Sequence, residues 1–360
     1  MNRRIAFYAP MKSPDHPSPS GDRRVARLIM HALDRAGWDV TLASRLRTWQ
    51  RDGNRSGQDY LFQEAERIAQ NLIADLSDAP PALWFTYHCY YKAPDLIGPV
   101  VARALGIPYV VAEGYRARKR LSGPYARYAE AAERALDEAR IIFHLSMRGL
   151  DALTRDRADG QQLIHLPPFT ALGAEPPAHP APDGPLRLIT VAMMRAGDKS
   201  RSYRLLADAV SALTGDWKLS VVGDGAARPE IEAMFAPVRD RVRFLGQIDN
   251  RDDLLAAYET AELFIWPGVN EAFGMVYLEA QAAGLACIAE DREGVREVVG
   301  PSGRLTDPDD AAALTRALVE LGADRTALAA AGQAARDHVK ARHGVNAAAD
   351  LLNRSLEALL

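Results

Sequence analysis

Two cysteines in 360 residues, Cys89 and Cys287, leave no disulfide framework, and neither lies at metal-ligand spacing from another ligand-type residue. A reducing compartment, the cytoplasm, is the expected location. No run of 18 apolar residues occurs, so no membrane-spanning helix is expected. The start, Met1-Asn2-Arg3-Arg4 before Ile5 to Pro10, is basic and then apolar, but the apolar part is too short for a secretory signal. An excess of positive charge is also lacking: the net charge is −3, which excludes a broad nucleic-acid-binding face.

What is present is a globular composition, 48% hydrophobic and 25% charged, in a chain long enough for two domains of about 150 residues each. Short apolar strand patterns at 5–9, 38–43, 83–87, 109–112 and 141–146 alternate with helical patterns at 22–36, 58–76, 95–105 and 124–139. Seven prolines follow between Pro167 and Pro185 without apolar periodicity, which reads as a linker. The alternation then resumes, with strands expected at 186–192, 219–222, 242–245, 263–266 and 285–289 and three closing helices at 309–321, 325–341 and 345–359. Such a pattern predicts an α/β fold of two doubly wound, Rossmann-like domains with parallel sheets facing a central cleft. The expected divisions are a first Rossmann-like domain over 1–168, a linker over 169–185, a second Rossmann-like domain over 186–342, and a last helix over 343–360 packing back on the first domain.

Ligands of open parallel sheets bind beyond the carboxyl ends of the strands, so chemistry is sought there. The segment Trp266-Pro267-Gly268-Val269-Asn270-Glu271-Ala272-Phe273-Gly274-Met275 runs from a strand through a loop into a helix that carries Glu279. Amides at a helix N-terminus can receive a phosphate or a sugar hydroxyl, and Gly274 admits close backbone approach. Arg195 and Lys199 follow the first strand of the second domain, both placed to reach into the cleft. Val221-Val222-Gly223-Asp224-Gly225 is a strand ending in a glycine turn.

Two glutamates with seven residues between them, around a Phe-Gly loop, resemble glycosyltransferase family 4, a family of GT-B fold, which implies a first domain that binds the acceptor and a second that binds the nucleotide sugar. The resemblance implies a retaining glycosyltransferase, of hexosyltransferase type, that uses a nucleotide-diphosphate sugar, by family habit a UDP-sugar. It assigns catalysis to Glu271, Arg195 and Lys199. Donor contacts fall on Gly21, Gly223, Ile248, Glu271, Ala272, Phe273, Gly274, Met275 and Glu279. It implies no cofactor and no metal, and a lipid or cell-envelope glycan as acceptor, hence a part in glycolipid or polysaccharide biosynthesis. Two departures stand out. Ser200 follows Lys199 where the family commonly has Gly, and Glu113-Gly114-Tyr115 stands where many relatives carry a sugar-contacting His.

In the first domain, Gly21 precedes the first helix, where Ser20 or Asp22 can serve equally as its cap, and His88 and Tyr115 stand at strand ends as acceptor contacts. Arg116, Arg118, Lys119 and Arg120 form the one dense basic cluster, a candidate for an anionic membrane surface or a phosphate-bearing acceptor, giving peripheral association at the inner face of the membrane. Asp307-Pro308-Asp309 reads as the start of a helix. The alternative functions are a nucleotide-sugar epimerase, a sugar phosphorylase or a non-catalytic nucleotide-sugar-binding protein of the same fold.

Overall fold

The computed structural model describes residues 3–18, 20–171, 184–271 and 274–360. The chain divides into two units: residues 1–167 with 345–360, and residues 168–344. Most of the expected linker, 172–183, lies outside the described residues.

The first unit runs β1 (Arg4–Tyr8), α1 (Gly21–Arg35), β2 (Asp39–Ser44), α2 (Arg55–Leu76), β3 (Leu83–Cys89), α3 (Gly98–Leu105), β4 (Tyr109–Gly114), α4 (Ala126–Glu138), β5 (Ile141–His144), α5 (Leu150–Arg155) and β6 (Gln162–His165). Its sheet has the order β2-β1-β3-β4-β5-β6 with every pair parallel. β3 and β4 are apolar on both faces because helices cover both, and Trp84, Phe85, Val110 and Val111 are fully buried. The pattern of 95–105 begins as a helix only at Gly98. Asp95 instead turns back, its carboxylate accepting the Ile97 and Gly98 amides at 2.9 and 2.7 Å.

The second unit runs β7 (Leu186–Val191), α6 (Asp198–Ser211), β8 (Trp217–Val222), α7 (Arg228–Met234), β9 (Val242–Gly246), α8 (Arg251–Glu259), β10 (Leu263–Ile265), α9 (Met275–Ala282), β11 (Ala286–Glu290), α10 (Glu293–Arg296), β12 (Arg304–Thr306), α11 (Ala311–Gly322) and α12 (Arg325–Arg342). Its parallel sheet has the order β12-β11-β10-β7-β8-β9. In α12, Gly332 meets the backbone of the turn before β11, and a Cβ there would stand 2.0 Å from the Gly284 carbonyl. The last helix, α13 (Val345–Glu357), belongs to the first unit and packs on α1. Ala348, Ala349, Leu352 and Leu356 are buried, and Asn353 accepts from the Trp38 indole at 3.0 Å.

In each sheet the order reverses once beside its first strand. In the first unit the reversal lies between β1 and β3, in the second between β7 and β10. The connections leaving two neighbouring strands then run to opposite sides and open a crevice at their carboxyl ends.

Candidate functional site

In the second unit the crevice lies between the loops after β7 and β10, which are tied together by side chains. Val269 donates its amide to Ser202 Oγ at 3.0 Å, and Asn270 Nδ2 donates to Asp198 Oδ2 at 2.9 Å. Asn270 takes a left-handed backbone, φ 55°, so the chain turns sharply just before Glu271. Glu271 Oε1 accepts from Lys199 Nζ and from the Trp266 indole at 3.1 Å. Lys199 Nζ also stands 5.4 Å from the centre of the buried Trp266 ring. A cation, a carboxylate and an indole N–H therefore converge on one point.

The chain reaches that point through glycines. At Gly268, φ 80°, a Cβ would lie 2.2 Å from the Tyr277 hydroxyl, which donates to the Trp266 carbonyl at 2.8 Å. Gly274, φ 54°, begins α9 with no capping side chain, so the positive end of the helix opens toward the Glu271 loop. Ala272 and Phe273, expected as donor contacts, lie outside the described residues. Met275 is the first residue of α9, while Glu279 is buried on the same helix, with Tyr258 donating to its Oε2 at 3.5 Å. Arg195 is exposed, and its carbonyl accepts both the amide and the hydroxyl of Ser200, at 3.1 and 3.0 Å. Ser200 thus closes the turn into α6 with a bond that glycine could not supply.

Gly223 has a packing reason of its own. A Cβ there would stand 1.9 Å from the Ala192 carbonyl, at φ 136°. The loops after β7 and β8 extend their pairing here, Ala192 donating to Val222 at 3.0 Å and Met194 to Asp224 at 2.9 Å. Ile248 is half-buried against the core of the unit.

In the first unit the crevice is built from side chains. Ser20 is the cap of α1, accepting from the Arg23 amide at 3.3 Å, and a Cβ at Gly21 would meet nothing within 4 Å. Asp22, on the first turn of α1, receives His88 Nδ1 at 2.9 Å. Burial raises the Asp22 pKa, but the hydrogen bond and charge of His88 outweigh it and hold the carboxyl below its ordinary value. His88, the last residue but one of β3, takes φ 65°, and Glu113, the last but one of the adjacent β4, takes φ 61°. Two non-glycine residues in this conformation at neighbouring strand ends mark stored strain, each costing on the order of 1 kcal/mol. Glu113 is buried. It accepts the Tyr115 hydroxyl and, through Oε2, the Leu145 amide at 3.1 Å. Burial first, and then Glu113, push the Tyr115 phenol far above its ordinary pKa. The His88 ring lies 6.1 Å from Tyr115 and 5.0 Å from Tyr90, so the structure brings the two expected acceptor residues together. The partner Asp22 was not expected, because its pairing with His88 spans 66 residues, and Glu113 comes beside His88 only because β3 and β4 are neighbouring strands.

Two expectations are corrected. Arg116 does not belong to an exposed basic face: its side chain is 2% exposed and bridges to Glu133 and Asp137, both at 2.7 Å. Arg118 is exposed but bridged to Asp156 at 2.9 Å. Asp309 does not start a helix. It takes φ 62° and is held by Arg201 at 2.8 Å and Arg292 at 3.0 Å, and Asp310 caps α11 instead. No described helix is long and apolar enough to cross a membrane.

Residues 185–324 match the family model "Glycosyl transferases group 1". Over 140 residues the chain is 34% identical to the GDP-mannose-dependent monoacylated alpha-(1-6)-phosphatidylinositol monomannoside mannosyltransferase of Corynebacterium glutamicum, covering 37% of this chain and 36% of that one. Over 137 residues it is 31% identical to the lipopolysaccharide core biosynthesis mannosyltransferase LpcC of Rhizobium leguminosarum bv. viciae, covering 38% of each. The matched region thus spans little more than a third of either relative's length. Sucrose-phosphate synthase from Thermosynechococcus elongatus shares the fold over 99% of both chains, with a TM-score of 0.73 at 21% identity.

Proposed function

We propose that the chain, whose residues 185–324 match the group 1 glycosyl transferases, is a glycosyltransferase family 4-like protein that transfers a sugar from a nucleotide-diphosphate sugar to a lipid-linked or cell-envelope glycan, with retention of anomeric configuration. The observation that carries this reading is the convergence of Lys199, Glu271 and the Trp266 indole at the strand-order reversal of the second unit.

Lys199 and Glu271 neutralise each other in the structure. A donor diphosphate offers Lys199 a stronger anionic partner, and the exchange frees Glu271 to accept hydrogen bonds from the sugar hydroxyls. Arg195, exposed on the loop after β7, adds a second cation for the leaving group. The amides at the head of α9 receive the sugar, and Glu279 holds the ribose. The bond between the anomeric carbon and the β-phosphate oxygen breaks as the acceptor oxygen bonds to the same face of that carbon. The acceptor proton passes to the departing phosphate oxygen, so no strong protein base is needed, and the reaction asks for no cofactor.

The relatives named above support mannosyl transfer in the making of lipid-linked glycans, and one is named for GDP-mannose. GDP-mannose is therefore the first donor to try, ahead of the UDP-sugars that family habit suggests. In the first unit, His88 and Tyr115 bind the acceptor. Any peripheral membrane association comes through the lipid of the acceptor.

The test is release of nucleoside diphosphate from GDP-, UDP- and ADP-sugars by the full chain, with and without a membrane lipid extract. Release from one donor that depends on the extract and disappears in Glu271→Ala is expected. Tight binding of a nucleotide sugar with no release under any condition would replace the transferase by a binding protein.

A further inference from the structure

β3 does not stop at His88. After Cys89 the chain makes a two-residue turn, with Tyr90 and Ala93 exchanging backbone hydrogen bonds at 3.3 and 2.9 Å and Tyr91-Lys92 at its tip. The turn is braced from two other segments. The Lys92 carbonyl accepts from the Gln50 amide at 2.9 Å, the Pro94 carbonyl accepts from the Thr48 hydroxyl at 2.8 Å, and Tyr125 donates to the Gln50 carbonyl at 3.2 Å. The aromatic rings form a continuous run: His88 to Tyr90 at 5.0 Å, Tyr90 to Tyr91 at 5.5 Å and Tyr91 to Tyr125 at 5.2 Å.

Two cations are gathered on this run. Arg120 lies 5.1 Å from the centre of the Tyr91 ring, and Lys92 Nζ lies 6.0 Å from Tyr91 and 5.6 Å from Tyr125. Other arginines nearby are neutralised: Arg116 by Glu133 and Asp137, Arg118 by Asp156, Arg127 by Asp59. Lys92 and Arg120 have no carboxylate partner among the described residues, and the hydrogen bond recorded for Lys92 goes to the Arg51 carbonyl at 3.4 Å. Asp52 acts on Tyr125 but bridges to neither cation.

We propose that the Tyr91-Lys92 turn together with Arg120 is a subsite for an acidic group, a phosphate or carboxylate, carried by the acceptor saccharide. The tyrosine faces hold both cations in place before the ligand arrives, so little side-chain freedom is lost when an anion bridges them. The rings beside them suit the apolar C–H face of a sugar, and the run leads to His88 at the strand-order reversal. This rests on the acceptor reading of the first unit given above. A general basic face for a lipid surface fits less well, because Arg116 is buried and Arg118 is already paired.

The experiment measures binding of glucose, glucose 6-phosphate, glucuronate and inorganic phosphate to the full chain by calorimetry, and of phosphatidylinositol in phosphatidylcholine vesicles by flotation. The acidic sugars are expected to bind about tenfold more tightly than glucose, and this advantage is expected to vanish in the double variant Lys92→Met, Arg120→Met. Lys119→Met, an exposed neighbour, should leave it intact. GDP or UDP binding, measured in the same preparations, reports that the fold survives. Equal affinity for glucose and its acidic relatives, an advantage that persists in the double variant, or binding to vesicles alone would overturn the proposal. A chain that binds acidic sugars selectively yet releases nucleotide from no donor would overturn the transferase and leave the subsite standing.

Discussion

The two units place their sites at the same topological feature and build them from opposite materials. Around the β7/β10 reversal the loops after β8 and β10 carry glycines, Gly223, Gly268 and Gly274, and the backbone does much of the shaping. At the β1/β3 reversal the strand ends carry His88 and Glu113 in a conformation that glycine would adopt freely, and side chains close the crevice. A site that must hold an invariant group, such as a diphosphate, can be made from amides and two cations. On the proposed function the first site must distinguish one acceptor from another, which needs side chains, and His88 and Glu113 are kept there at the cost of backbone strain.

Substitutions can break this contrast. The largest expected effect is from Gly223→Ala, which drives a Cβ into the Ala192 carbonyl at an unfavourable φ and should destabilise the protein by about 3 kcal/mol in denaturant unfolding. If the loss is below about 1 kcal/mol, the glycine is kept for ligand approach and not for packing. Next is Lys199→Ala, which should lower turnover on the order of 100-fold with the melting temperature nearly unchanged, since removing one group that stabilises developing charge typically has that effect. His88→Gly should cost about tenfold in turnover at limiting acceptor, in the range of one lost charge-assisted contact, and little stability, because relief of the left-handed strain offsets the lost bond to Asp22. A large stability loss there would mean that the residue is structural.

The smallest expected effect is a pH dependence. His144 in the first unit is held below the ordinary imidazole pKa by burial, only partly offset by the Ser146 carbonyl and Glu113, and His338 in the second is lowered by burial and Arg342. For a depressed folded pKa the unfolded chain binds the extra proton, so stability is present above about pH 6.5 and falls as pH drops through that value. His144→Gln and His338→Gln, each followed by thermal unfolding between pH 5 and 8, should flatten this slope separately and assign it to one unit or the other.

Much of the second unit was legible because its meaning is local. Glu271, Gly274 and Glu279 lie within nine residues, and a strand, a loop and a helix start can be read from the same stretch. Ser200, noted as a departure from the family pattern, acquires its reason only from the bond to the Arg195 carbonyl, five residues back. The basic cluster of 116–120 misled for the complementary reason: charge density in the sequence does not reveal that Glu133 and Asp137, one turn apart on α4, neutralise Arg116. Asp307-Pro308-Asp309 has the composition of a helix start, but Arg201 and Arg292 claim Asp309 and move the cap to Asp310.

By itself the sequence determined the alternation of strands and helices, the doubly wound class of both units and the glycine-marked loop of the group 1 domain, since periodicity and turn chemistry act over a few residues. Only the tertiary structure decided which strands became neighbours, and with that where each sheet reverses. It joined Asp22 to His88, set Glu113 beside them and gathered Lys92 and Arg120 on one tyrosine, because sheet order brings together residues that no local pattern links.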